Sequence, residues 1–249
     1  MPLSAIVRSE DKDGQQGSGG ESAWNDAHDA SGASNPDTND NYNNYAIQAG
    51  YHNPPRDFYI VTRAFLDFNT SAINEPVTSG TLSLYITATH SDDDDIIALK
   101  SGHDPGDTSE DWFGTWLTGL GGTLSGWSRT DPEVIPYTEA TGQDSGTGYL
   151  NIPLNAKALA DIREQDSVRM VLMNYTYDYL DTAPSGIVNN GIYYRDYGTS
   201  RAPYLGIEIN QTGEYDTING ITRIGSVNGI SPGTAASEGS STFFKINGT

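Results

Sequence analysis

The chain has 249 residues and no cysteine, with 33 acidic against 13 basic residues and a formal net charge of −20. The missing thiols exclude disulfide staples, thiolate metal sites and cysteine nucleophiles. The acidic balance disfavours DNA, RNA and anionic membranes as partners, because such binding rests on Lys and Arg neutralising phosphate. It favours solubility, crowded surface display and the capture of divalent cations. Hydrophobic residues make up 35%, enough for one core, and the abundance of Gly (28) and Tyr (15) suits pleated strands joined by many turns.

In chain order, Met1-Pro2-Leu3-Ser4-Ala5-Ile6-Val7-Arg8 lacks the apolar core of a signal peptide. No stretch of the chain reaches the about 20 apolar residues of a membrane helix. The expectation is a product made in the cytoplasm with the composition of an exterior protein. A virion component released by lysis fits both, and so does a secreted domain separated from its signal. Residues 1–22, with DKDGQQGSGG from Asp11 to Gly20, read as a flexible or partner-ordered arm. A short strand is expected at Tyr45–Ala49.

The strongest pattern spans Phe58 to Phe68, rich in aromatic and β-branched residues. Thr81 to Ala88 follows, with Leu82, Leu84 and Ile86 on one face at period 2. Further strands are expected at Asp95–Lys100, Gly148–Pro153, Ser167–Tyr177, Gly191–Tyr197 and Ala202–Ile209. Leu154–Ile162 is the one helical pattern, with Asn155 as its N-cap. Six to eight strands and one short helix predict an all-β, jelly-roll-like β-sandwich over 23–210, with a barrel as the alternative. After Asn210, Ile218-Asn219-Gly220-Ile221 recurs as Val227-Asn228-Gly229-Ile230 and partly as Lys245-Ile246-Asn247-Gly248. Apolar-Asn-Gly-apolar favours a type I′ hairpin turn. Residues 211–249 therefore read as a hairpin-like tail ordered against a neighbour.

No catalytic site is legible. His28, His52, His90 and His103 form no metal-binding pair. Gln143-Asp144-Ser145-Gly146 resembles a serine-protease motif without its first Gly and without that fold around it. A glycosidase needs two acids about 5 to 9.5 Å apart, which spacing along a chain cannot identify. Two binding constellations stand out. Asp92, Asp93, Asp94 and Asp95, with His103-Asp104-Pro105-Gly106-Asp107 close behind, repel one another, and Ca²⁺ relieves that; a solvated acidic loop is the alternative. Trp112, Phe113, Trp116 and Trp127 suit either a sugar-stacking platform, with the three Trp as ligand-binding residues, or core anchors. No cofactor is required.

Arg63-Ala64-Phe65-Leu66-Asp67-Phe68, followed by Gly80-Thr81-Leu82-Ser83-Leu84-Tyr85, resembles the opening strands of DNRLRE-type β-sandwich domains. Trp127, the helix after Leu154, the strand at Val168–Met173 and Arg201-Ala202-Pro203-Tyr204-Leu205-Gly206-Ile207 fit the later landmarks of that family, over residues 58–209. The namesake hexapeptide is absent. The resemblance implies a jelly-roll module of exterior proteins, some related to carbohydrate binding and not in themselves catalytic. The Asn-Gly units of the tail resemble those of tailed-bacteriophage structural proteins. Together these imply a non-enzymatic virion structural protein on the outer surface: a capsid decoration, head fibre or tail component. Its expected partners are a capsid or tail protein and itself, as a homo-oligomer such as a trimer. The alternative is a carbohydrate-binding module or adhesin outside the cell.

Overall fold

The computed structural model describes residues 3–10, 13–33, 35–37, 42–89, 95–104, 112–123, 126–142, 147–194, 200–210, 215–218 and 221–224. The chain divides into two units, Met1–Asn210 and Gln211–Thr249. In the first, strands β1 (Leu3–Arg8), β2 (Gly14–Glu21), β3 (Asn35–Asp37) and β4 (Tyr42–His52) lead into two long strands, β5 (Phe58–Asn69) and β6 (Val77–Thr89). Strands β7 (Ile96–Lys100), β8 (Gly148–Pro153), β9 (Ser167–Asn174), β10 (Ile187–Tyr193) and β11 (Tyr204–Ile209) complete it. Helices are short: α1 (Trp24–His28), α2 (Trp112–Thr118), α3 (Ala156–Glu164) and one π-helical turn, Tyr175–Tyr179. The fold is all-β and sandwich-like.

The strands pair antiparallel in the order β1-β11-β6-β10-β4-β5-β2-β3, with β8 on the other side of β6 and β9 joining β5 to β7. Each long strand passes from one neighbour to another. β5 pairs with β4 up to Thr62 and with β9 from Ala64 onward. β6 pairs with β11 up to Ser83 and with β10 from Ile86. The network thereby folds over on itself. Leu82, Leu84 and Ile86 of β6 meet Ala64, Leu66 and Phe68 of β5 and Val168, Met170 and Leu172 of β9 in one buried core. These positions alternate along each strand, as a pleated surface with one inward face requires. Helix α3 closes this core with Ala158 and Ile162. Asn155 caps it, its side-chain oxygen accepting from the backbone N–H of Lys157 (3.0 Å) and Ala158 (3.1 Å), which satisfies donors that a helix start leaves unpaired.

The other face of β5, β7 and β9 is buried as well. Phe65, Ile97, Leu99, Val171 and Met173 pack beneath Trp112, Trp116 and Leu117 of α2, with Trp127 and Val134. A third layer thus covers one sheet, and strands buried on both faces lose the polar alternation of a half-exposed strand. Helix α2 is the element the sequence hides: it is buried nearly all round and carries Gly114 and Thr115, so no amphipathic stripe marks it.

Three expectations are corrected. Residues 1–22 are not an arm in their described part, because β1 pairs with β11 and β2 lies between β5 and β3. The Gly-rich composition that suggests flexibility instead permits close approach. A Cβ on Gly17 would lie 2.8 Å from Thr62 Oγ1 and 2.9 Å from the Val61 carbonyl oxygen. The strand from Ser167 ends at Asn174, whose side chain accepts from the Tyr177 N–H and turns the chain into the π-helical turn. The strand expected at Gly191–Tyr197 starts at Ile187, and residues 195–199 lie outside the described residues.

In the second unit, Tyr215–Ile218 (β12) and Ile221–Ile224 (β13) pair antiparallel, with Ile218 opposite Ile221. They flank Asn219-Gly220, which lies outside the described residues, as do the other two Asn-Gly units. If β2 is part of the body, Gly17→Val overpacks it against β5 and lowers unfolding free energy by about 1–3 kcal/mol. Urea denaturation checks this; a change under about 0.5 kcal/mol is what a solvated arm would give.

Candidate functional site

The aromatic cluster expected to stack on sugars is inside the protein. Trp112, Trp116 and Trp127 are 1%, 0% and 4% exposed, and Trp116 meets Trp127 edge to face at 87°. Trp116 and Trp127 wall a buried charged centre, and Trp112 packs against Phe65 and His103. Arg63 of β5 donates from Nε to Asp178 Oδ2 (2.9 Å) and from Nη2 to Asp178 Oδ1 (2.7 Å), with a further bond from Nη2 to the His28 carbonyl (3.1 Å). Its guanidinium lies 4.3 Å from the ring centre of Phe113, 5.6 Å from Trp116 and 5.7 Å from Trp127. Aromatic faces attract the cation that the sheet buries. Large aromatic residues are equally suited to a core and to a platform, and here the arginine beneath them settles which.

His28 closes the centre from α1. Nδ1 faces Asp29 Oδ1 at 2.6 Å and Nε2 faces the Asp178 carbonyl at 2.8 Å. Both partners offer acceptor oxygens, an arrangement that favours the doubly protonated ring. Burial pushes its pKa down, but the Asp29 hydrogen bond and the Asp178 charge outweigh it, and the net direction is up. The ring stacks on Trp127 at 4.9 Å and 15°. Trp24 Nε1 donates to Asp181 Oδ1 (2.9 Å), fastening α1 to the segment after the π-helical turn.

His103 has the opposite chemistry. It is fully buried against Phe65 and Trp112, and its Nδ1 lies 2.7 Å from Ser101 Oγ. Burial, reinforced by the charge of Arg169, pushes its pKa down to about 3. Ser101 is buried too. The pair packs the core rather than facing a cleft.

Of the acidic run, Asp92, Asp93 and Asp94 lie outside the described residues. Asp95 is half-buried, and its carbonyl accepts from the Tyr175 N–H at 2.8 Å. Among the described residues no three His, Asp or Glu side chains gather as a cation site. An open groove of about 670 Å³ between β2 and the segment after α1 is lined by Glu21, Asn25, Asp26, Asp29 and Ser31 among others. It is an anionic surface.

The accessible aromatic surface is elsewhere, on the outer face of β6, β8, β10 and β11. Tyr85 meets Tyr149 (5.2 Å) and Tyr193 (5.4 Å), and Tyr149 meets Tyr204 (5.5 Å). Tyr149 is 37% exposed and the other three are half-buried. Arg201 lies over Tyr85 (4.8 Å) and Tyr193 (4.9 Å) and donates to the Tyr193 hydroxyl at 2.8 Å. Tyr149 donates to the Ser200 carbonyl at 2.6 Å, holding its ring in place. This rigid face of four tyrosines and an arginine is the candidate functional site. Sequence reasoning offers surface Tyr residues as sugar-stacking rings without singling any out, though the signal was there: Tyr85, Tyr149 and Tyr204 each stand next to an inward Leu, at the outward step of the alternation.

The two histidines give stability opposite pH dependences. His103 stays neutral when folded while the unfolded chain titrates near 6.5, so its contribution is full above pH 6.5 and is lost as pH falls toward about 3. His28 is raised, so its contribution is full below pH 6.5 and is lost as pH rises through the folded value. Each limb steepens by up to about 1.4 kcal/mol per pH unit. Denaturation from pH 5 to 9 is expected to show the acid limb flattened in His103→Gln and the alkaline limb flattened in His28→Gln. Unchanged slopes in both variants would contradict these assignments.

A scan against protein-family models finds none that matches the chain, and a search of curated proteins finds no match to it.

Proposed function

We propose that this chain is a non-enzymatic structural protein of the outer surface of a bacteriophage virion, a capsid decoration, head fibre or tail component. The observation that carries the reading is the separation of Gln211–Thr249 from the sandwich. In that unit Tyr215–Ile218 pairs with Ile221–Ile224, and its sequence repeats the apolar-Asn-Gly pattern of Ile218-Asn219-Gly220 twice more. A segment this short and polar in sequence has little apolar area of its own to offset ordering entropy, so docking on a neighbour is what would stabilise it. The net charge of −20 suits an outward surface rather than one lying against packaged DNA. The relation of residues 58–209 to DNRLRE-type domains belongs to the same proposal. Its support is that the Arg63–Phe68 and Gly80–Tyr85 patterns fall inside β5 and β6.

A second reading, a carbohydrate-binding module, draws on the face of Tyr85, Tyr149, Tyr193 and Tyr204, not on the tryptophans. The first unit has its own core, so a chain ending at Asn210 is expected to stay folded. Sedimentation velocity is expected to show the full chain in larger assemblies than this truncated form. Equal masses would contradict attachment of copies to one another through the C-terminal unit. Tyrosine fluorescence titrated with neutral oligosaccharides then tests the second reading.

A further inference from the structure

An arginine in the tyrosine face keeps one edge of its guanidinium open. Arg201 is fixed by three contacts: its guanidinium carbon lies 4.8 Å from the Tyr85 ring centre and 4.9 Å from that of Tyr193, and Nη1 donates to the Tyr193 hydroxyl at 2.8 Å. Rings that attract the cation also hold its plane. Nη1 is thereby engaged, while Nε and Nη2 meet no acceptor among the described residues. Those two atoms form an edge of the fork that pairs with both oxygens of a carboxylate. Arg63 presents the same two atoms to Asp178, at 2.9 and 2.7 Å. Arg63 is sealed in the protein, whereas Arg201 is half-buried.

The neighbouring ring is fixed as well. Tyr149 meets Tyr85 edge to face at 84° and donates to the carbonyl of Ser200, the residue before Arg201. Ring and arginine thus flank Tyr85, close enough for one short oligosaccharide to touch both. The charged groups acting most on Tyr149 are two arginines, Arg8 and Arg201. Arg8 has an interaction of its own, so Arg201 is the one that can take a ligand. Glu208, an acid on the same face, stands four residues along β11 from Tyr204, about 13 Å away at the rise of a strand, and accepts from Ser79 Oγ at 2.9 Å. The net charge of −20 opposes a dense polyanion, but exposed charges are largely screened beyond about 8 Å at physiological salt. A ligand with a single carboxylate at the contact escapes most of that repulsion, and a neutral sugar leaves the open edge of Arg201 unused.

We propose, resting on the carbohydrate-binding reading of this face, that its ligand is an acidic sugar: a uronic-acid residue whose carboxylate is held by Nε and Nη2 of Arg201, in an oligosaccharide whose adjoining ring lies on Tyr149. Tyr149 supplies apolar area that any sugar ring can use. Arg201 supplies the selection, because its fork matches a planar carboxylate and nothing on a neutral sugar.

The test titrates the full chain, by calorimetry at physiological salt, with short oligosaccharides carrying one glucuronic or galacturonic acid residue and with their methyl esters. The ester keeps the rings and removes the charge. Wild type is expected to bind both, the acid at least about tenfold more tightly, as charge-assisted hydrogen bonds imply. Arg201→Gln, and Arg201→Lys, which keeps the charge without the fork, are both expected to lose most of that preference while still binding the ester. Melting temperatures establish that each variant is folded. Equal affinity of wild type for acid and ester overturns the acidic class and leaves the carbohydrate reading standing. Binding of neither overturns both. A preference for the acid that survives in Arg201→Gln puts the carboxylate elsewhere and overturns the assignment to Arg201.

Discussion

Arg63 and Asp178 meet with both side chains fully buried, and the outer layer of the protein is arranged around that pair. Taking two charges out of water costs several kcal/mol for each ion, recovered only when geometry is good and further hydrogen bonds are made. The carboxylate meets the guanidinium fork with both oxygens, and the His28 carbonyl takes a third bond. Among the described residues Nη1 meets no hydrogen-bond acceptor, and the guanidinium sits in a wall of aromatic rings. Each partner comes from a different element. β5 supplies the arginine, the π-helical turn supplies the carboxylate, α1 supplies His28, and α2 with the Trp127 segment supplies the rings. Short helices of five and seven residues are too brief to persist alone. Their place is fixed by what they enclose.

This sealed centre lies on one sheet, and the exposed tyrosine face lies on the other. On that side the tyrosine face, Arg201 and β1 are contiguous, since Arg8 of β1 stands opposite Tyr204 of β11. The acidic groove beside α1 lies on the other sheet. The shifts of His28 and His103 give the body opposed pH dependences of stability.

Much of the fold was legible where one physical signal acts alone. β6 alternates because one face is core and the other solvent, and Asn155 announces α3 because a cap is a local device. Signals failed where tertiary context reverses a local preference. The glycines of β2 read as freedom, yet Gly17 is a close contact. Trp116 and Trp127 read as either platform or core, and only their neighbour Arg63, distant in sequence, decides. Arg63 itself was noticed as part of a strand pattern, not as a buried charge, because its partner Asp178 lies 115 positions away. The acidic run at Asp92–Asp94 falls outside the described residues, so its reading stands as it did from composition.

The buried pair is most directly tested by a double-mutant cycle of Arg63→Met and Asp178→Asn, followed by urea unfolding at neutral pH. Each single change strands a buried charge and is expected to cost about 3–5 kcal/mol. The double variant strands none, and is expected to cost less than the sum of the two by at least about 2 kcal/mol. Costs that add within about 0.5 kcal/mol would contradict a coupled centre and leave the outer layer held by hydrophobic packing alone.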